Sequence, residues 1–259
     1  MSAAALIDTH CHLDAAEFDV DREAVVRAAA SAGVTVMVVP AVERANFGAV
    51  ASVCREFAGC MAAYGIHPMV VERAVEADLD ALRATLAREP AVAVGEIGLD
   101  RYVEPRDDAR QEFFFVEQLR IARDFDLPVI LHVRRAIDPI LKQLRRIKVA
   151  GGIAHAFNGS RQQADELIKL GFALGFGGAM TYPRALRIRE LAATLPAEAI
   201  VLETDAPDIP PAWHAGGRNA PEQLSRIAGE LAALRGVAVD DVAAFTARNA
   251  CRVLPRLPH

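Results

Sequence analysis

The chain has 259 residues, 53% of them hydrophobic and 24% charged, which is enough apolar material for a large core and excludes a disordered chain. A length near 250 residues suits one α/β barrel domain spanning 1–259. Net charge is −5 and only 6% of residues are aromatic, so neither a broadly basic nucleic-acid surface nor a protein built on base stacking is expected.

Strand-like runs fall at Leu6–His10, Val34–Pro40, Met61–His67, Val92–Gly98, Pro128–Val133, Gly152–Phe157, Phe172–Gly177 and Ile200–Asp205. They are rich in Val, Ile and Ala with little polar alternation, the pattern of strands buried on both faces of a parallel sheet. Helical stretches alternate with them at Asp21–Ser31, Leu79–Arg88, Asp108–Phe125, Ala136–Arg146, Arg161–Leu170, Arg184–Leu195, Pro221–Leu234 and Asp240–Val253, and Asp78 is placed to cap the second of these. In Asp108–Phe125 the residues Phe114, Phe115, Leu119, Ile121, Ala122 and Phe125 share one face, with Gln118 in its middle. Eight strands alternating with helices predict a (β/α)8 TIM-type barrel, with an open doubly wound sheet as the rival.

The longest uncharged runs, Ala32–Val42 and Gly171–Tyr182, are too short to span a bilayer. The amino-terminal apolar run ends at Asp8 with no basic stretch before it, so no secretory signal is expected. Cys11, Cys54, Cys60 and Cys251 form no CxxC and no zinc-ribbon spacing, which fits free thiols in a reducing cytoplasm.

His10 and His12 close the first run, His67 the third, His132 the fifth and His155 the sixth; Glu96 ends the fourth and Asp205 the eighth. In a barrel all these positions lie on the C-terminal rim, where active sites sit. On an extended strand residues i and i+2 point to one side, so His10 and His12 can face one metal ion, with Asp8 below as an orienting partner. Glu96 lies in an apolar strand between Gly95 and the nearby Gly98; a carboxylate there is costly unless paired or metal-bound, and its two oxygens can bridge two cations. His132 and His155 would hold the second ion, and Asp205 would hold the first and face the bound water. Two ions roughly 3.5–4 Å apart sharing a hydroxide are a standard device for phosphoester hydrolysis. Mixed imidazole and carboxylate ligands favour Zn or Mn among the candidates Zn, Mn, Mg, Co and Fe.

The sequence resembles the TatD family of metal-dependent deoxyribonucleases, within the amidohydrolase-like barrels, nearly end to end. The matching pieces are IDTHCH (7–12), GIHP (65–68), GEIGLD (95–100), PVILH (128–132), HxFxGS (155–160), LETDAP (202–207), RNxP (218–221) and Asn249. VPAxExxNF (39–47), HxRR (132–135), TYPRA (181–185) and DAPDxP (205–210) resemble its YjjV-type branch. The resemblance implies one metal on His10, His12, Glu96 and Asp205 and another on Glu96, His132 and His155. The chain departs from the family pattern at Ala220, at Arg135 and at Arg101-Tyr102, beside the expected ligands and not on them.

Arg134, Arg135, Arg161, Arg184 and Arg218 follow strand ends and are expected on the rim, where guanidinium forks bind phosphate. His67 is expected to donate to a phosphate oxygen or protonate a leaving group. Tyr102, Tyr182, Trp213 and Phe157 are candidates to stack a base. The expected activity is phosphodiester hydrolysis of DNA ends or short single strands by a cytoplasmic monomer, with DNA or an oligonucleotide as transient partner and no membrane or obligate protein partner. Catalysis would rest on Asp205, Glu96 and His67. The alternative is hydrolysis of a small amide, lactone or ester on the same barrel. Many such relatives bridge their metals with a carbamylated lysine, and none of Lys142, Lys148 and Lys169 ends a strand. A non-catalytic binding module is disfavoured by the complete ligand set.

Overall fold

The computed structural model describes residues 5–258; residues 1–4 and 259 of the expected domain lie outside the described residues. The apolar runs form eight strands: β1 (Leu6–Asp8), β2 (Val34–Pro40), β3 (Cys60–Tyr64), β4 (Ala93–Asp100), β5 (Val129–Arg134), β6 (Gly152–Ala154), β7 (Phe172–Phe176) and β8 (Ile200–Leu202). Each pairs in parallel with the next in chain order. Between β8 and β1 the backbone closes the ring: the Thr9 N–H and hydroxyl both donate to the Leu202 carbonyl at 3.0 Å, and Asp205 N–H donates to the His10 carbonyl at 2.8 Å. Closure in sequence order makes this the expected (β/α)8 barrel and disposes of the open doubly wound sheet.

The helices are α1 (Arg22–Ser31), α2 (Phe47–Glu56), α3 (Ala77–Arg88), α4 (Asp108–Asp124), α5 (Ile137–Arg146), α6 (Arg161–Lys169), α7 (Leu186–Thr194), α8 (Leu224–Arg235) and α9 (Val239–Val253). The sequence reading missed α2, whose Gly48, Val50 and Val53 depress helix propensity although Phe47, Val50 and Ala51 form a buried stripe. Asp78 is not a cap: it sits in the first turn of α3, accepting from the Val75 N–H at 2.9 Å and from Arg44 at 3.2 Å.

Inside the barrel Ile7, Val36, Val38, Ala63, Ile130, Ile153, Ala173 and Val201 interdigitate. Ala250, Val253, Leu254 and Leu257, from α9 and the residues after it, plug its lower end. The space for chemistry is therefore above this layer. Four strands end two or three residues earlier than the apolar runs predict. The ladder stops at Asp8, Tyr64, Ala154 and Leu202, so His10, His67, His155 and Asp205 stand just beyond it. Ala156 (φ 44°) and Asp205 (φ 60°) turn the chain through left-handed conformations there, which ends pairing.

Candidate metal centre and cleft

Glu96 is the hub. The β4–β5 register shifts between Val94 and Ile97, and such an irregularity re-aims a side chain out of strict alternation. Close packing enforces it: a Cβ on Gly95 would meet Ile130 Cβ at 2.7 Å, and one on Gly98 the His132 carbonyl oxygen at 2.0 Å. Glu96 Oε2 lies 3.2 Å from His10 Nε2 and 3.8 Å from His12 Nε2, while Oε1 lies 2.8 Å from His132 Nδ1 and 3.5 Å from His67 Nε2. Each oxygen faces a different pair of imidazoles. Asp205 Oδ1 closes the far side, 3.4 Å from His155 Nε2, 3.6 Å from His10 Nε2 and 3.7 Å from His12 Nε2.

All six residues expected to hold metal thus converge, in three overlapping groups: His10, His12 and Glu96; His10, His155 and Asp205; His67, Glu96 and His132. The grouping differs from the expected one in one respect. His155 stacks on His10, with ring centroids 3.6 Å apart, and faces Asp205, while His67 takes the place beside Glu96 and His132.

The donor set fits divalent ions. His10 Nε2 and His12 Nε2 are 3.2 Å apart, and Zn–N bonds of about 2.0–2.1 Å put neighbouring donors of one tetrahedral ion roughly 3.3 Å apart. The His12 Nδ1 lies 3.2 Å from the Pro40 carbonyl, a contact that places the proton there and leaves Nε2 free to ligate. His10 Nδ1 and Glu203 Oε2 are buried without a partner. Burial, seconded by the neighbouring His155, lowers the pKa of His10 and keeps the ring neutral. Burial alone would raise the Glu96 carboxyl, but His67, His10 and His132 outweigh it and hold it well below the usual range. Among the described residues no Lys or Arg pairs with Glu96, Asp100, Glu203 or Asp205, so only imidazoles or a bound cation can balance these buried acids.

Two acids the sequence reading left unassigned support the imidazoles from behind. Asp100 Oδ2 is 3.1 Å from His132 Nε2, and its Oδ1 accepts from the Tyr102 N–H at 2.7 Å. Against burial, which would raise it, the His132 bond and these amides hold Asp100 at about 2. Glu203 Oε1 accepts from the Ala156 N–H at 2.6 Å and lies 3.1 Å from His155 Nδ1. The signal was present: Asp100 ends the same strand as Glu96, and Glu203 precedes Asp205 by two positions. Asp8 corrects the sequence reading. It bonds neither imidazole but accepts from Thr204 N–H (2.9 Å), Thr204 hydroxyl (2.6 Å) and His10 N–H (3.3 Å), tying the end of β1 to the end of β8.

Above the cluster opens a cleft of about 1360 Å³ whose walls include Asp14, Met69, Tyr102, Arg134, Arg135 and Arg187. The Arg134 and Arg135 guanidiniums lie 3.8 and 4.6 Å from the centre of the Tyr102 ring. Arg187, which the sequence reading passed over for Arg184, is held at 2.8 Å by Asn158 Oδ1. Arg184 precedes α7 and is not in the cleft wall, whereas Arg187, in the first turn of α7, is. Arg218 is also outside the wall, forking onto Asp21 at 2.8 and 2.6 Å, and Arg161 pairs along α6 with Asp165 at 3.0 Å. Of the four aromatic candidates only Tyr102 lines the cleft. Phe157 is core, the Tyr182 hydroxyl donates to the Pro210 carbonyl, and Trp213 donates to Gln223. Asn219 of the RNxP motif donates to the carbonyls of Thr204 and Asp208, both at 2.8 Å, and so holds the loop that carries Asp205.

A closed barrel with imidazoles and carboxylates converging at its C-terminal mouth is the arrangement of a metal-dependent hydrolase. Residues 7–255 match the family model described as TatD related DNase, and the chain belongs to that family. It is 42% identical over 246 residues to the Escherichia coli K12 protein named uncharacterized metal-dependent hydrolase YjjV, covering 94% of this chain and 95% of that one. The crystal structure of the E. coli YjjV TatD homolog superposes with a TM-score of 0.94 at 40% identity, covering 97% of this chain and 98% of that one. It is also 32% identical over 260 residues to a Cronobacter sakazakii protein named 3'-5' ssDNA/RNA exonuclease TatD, covering 96% and 97% of the two chains.

Proposed function

We propose that this enzyme hydrolyses phosphodiester bonds at DNA ends or in short single strands, using two divalent ions that share Glu96. The observation that carries the reading is the division of labour at Glu96: Oε2 faces His10 and His12, and Oε1 faces His132 and His67, under a cleft lined by arginines. His10, His12, Glu96 and Asp205 would hold one ion, and Glu96, His132 and His155 the other, with Zn or Mn favoured by the ligand types. The second set requires His155, which stands beside His10 and Asp205, to turn toward His132. Ions bound there would lower the pKa of a water and neutralise charge developing on phosphate.

The chain's own groups do the rest. Asp205 takes the proton of the attacking water; against burial, which would raise its pKa, His155, His10 and His12 keep it lowered and the carboxylate ionised and able to accept. His67 Nδ1 accepts the Met69 N–H at 3.2 Å, so the neutral ring carries its proton on Nε2, the nitrogen available to donate to a phosphate oxygen or a leaving group. Arg134, Arg135 and Arg187 neutralise the phosphates of the bound strand, and Tyr102 offers a ring to a base. These contacts are local, which reconciles an anionic substrate with a net charge of −5. Nucleic acid also accords with the exonuclease name carried by the Cronobacter relative.

The deciding experiment offers metal-loaded protein single strands and duplexes labelled at either end, beside a panel of lactones and amides. Release of labelled mononucleotides supports the proposal. Turnover of a lactone or amide with no nucleotide release overturns it in favour of a small-molecule hydrolase. No helix among the described residues is long and apolar enough to cross a membrane.

A further inference from the structure

The apolar face of α4 is interrupted by two buried glutamines, Gln111 and Gln118, set two turns apart and turned toward the barrel. Burying a primary amide is costly unless it is hydrogen-bonded, so both need partners. Gln118 Oε1 accepts from the Ile66 N–H at 2.6 Å and its Nε2 donates to the Ile66 carbonyl at 3.0 Å. Gln111 Oε1 accepts from the Asp100 N–H at 2.9 Å.

The backbone explains why Ile66 needs this. β3 and β4 pair through Ala63–Ala93 and Tyr64–Val94 and then part. Beyond the fork His67 N–H turns to the Val42 carbonyl at 2.8 Å, and Glu96 N–H to the Ala41 carbonyl at 3.1 Å. Ile66 is left between them with a buried donor and acceptor, and Gln118 satisfies both as a strand neighbour would. A second grip from the same helix holds the end of the segment: Arg110 donates to the Val71 carbonyl at 2.6 Å and to the Ala74 carbonyl. The residue that follows Ile66 is His67, whose Nε2 sits 3.5 Å from Glu96 Oε1 and whose ring meets His132 edge-on at 4.2 Å.

We propose that Gln118 is a positioning residue: through the Ile66 peptide it fixes where His67 presents its ring to Glu96 and the cleft. The inference rests on His67 being part of the site. The test is a double-mutant cycle. Gln118→Met removes both bonds at similar length; Gln118→Glu keeps the acceptor for Ile66 N–H and loses the donor, and serves if the methionine variant does not fold. Each is made alone and with His67→Asn, and kcat and KM are measured on a labelled single strand beside thermal melting. Displacing a group by about 1 Å can cost about 100-fold, so Gln118→Met alone is expected to lower kcat by at least about tenfold with KM little changed, and Gln118→Glu by less. In the His67→Asn background neither change lowers kcat further. In the metal-free protein the imidazole Cε1–H resonance of His67 shifts in Gln118→Met while that of exposed His214 stays. Equal losses in both backgrounds, or an unmoved His67 resonance, overturn the proposal. If His67→Asn alone leaves kcat unchanged, the reading of His67 fails and the positioning argument falls with it.

Discussion

Removing the Arg187 guanidinium would isolate one of the proposed phosphate contacts, because among the described residues its only side-chain partner is Asn158, outside the imidazole and carboxylate cluster. Three arginines line the cleft: Arg134, Arg135 and Arg187. For a single strand each neutralised phosphate contributes about 0.7 to the slope of log affinity against log salt, so the three give a slope of about −2. Raising salt from about 50 to about 200 mM should then lower kcat/KM roughly 20-fold in the wild type and roughly 7-fold in Arg187→Ala. Arg218→Ala is the control, since Arg218 is already forked onto Asp21 outside the cleft, and it should keep the wild-type slope. The assay is a salt titration of initial rates on an end-labelled oligonucleotide, with metal content checked for each variant. If Arg187→Ala matches the wild-type slope, or Arg218→Ala flattens it, the assignment of the phosphate wall is wrong.

Glu96→Gln should lower the content of both ions whereas His10→Ala affects mainly one; elemental analysis finding two ions fully retained in Glu96→Gln would sink the shared-ligand assignment. Asp205→Asn should cut turnover by about 10²–10⁴-fold with the fold intact, and near-normal turnover with metal bound would refute its role as proton acceptor. In the metal-free protein burial pulls His132 down, but Asp100 and Glu96 prevail and carry it from 6.5 up to about 9. The stability that this imidazolium contributes is complete below pH 6.5 and is lost as pH rises through 9. A divalent ion needs the neutral ring, so its binding releases a proton and tightens as pH rises across that window. Calorimetry near neutral pH in buffers of different ionisation enthalpy measures that release, and a value of zero contradicts it. Leu254→Ala opens the plug at the barrel base, where Leu254 is fully buried; it should cost about 2–5 kcal/mol by urea unfolding, and a loss within error of zero would show that the base is not tightly packed.

The strands were legible because most of their residues are buried on both faces and so read as largely apolar runs. Their upper ends were not: β1, β3, β6 and β8 stop two or three residues short of the His, Phe or Asp expected to end them, and nothing in composition marks where backbone pairing stops. His10 and His12 nonetheless converge, because they follow the extended β1 directly. Grouping was less accessible. That His67 rather than His155 would stand beside His132 depends on how the loops after β3 and β6 turn, and the left-handed φ of Ala156 leaves no signature in composition. The arginines show the same limit. Arg184 and Arg187 differ by less than one helical turn, and only the true start of α7 decides which enters the cleft. Gln118 was visible as an anomaly, but its partner was not, since the need it meets arises where two strands diverge.

The seam between β1 and β8 joins residues 193 and 196 positions apart, through Thr9 with Leu202 and Asp8 with Thr204. His10 and His12 sit on one side of that seam and Asp205 on the other. A chain emerging from the ribosome therefore carries its first two imidazoles long before the carboxylate that completes their set exists. Contacts of such sequence separation form late, because loop closure is costly. A cation that bridges the two sides would act as a clasp on the last joint of the barrel to close. Its binding energy adds to the folded state alone, which makes the intact ring, and not any single strand, the unit that holds metal.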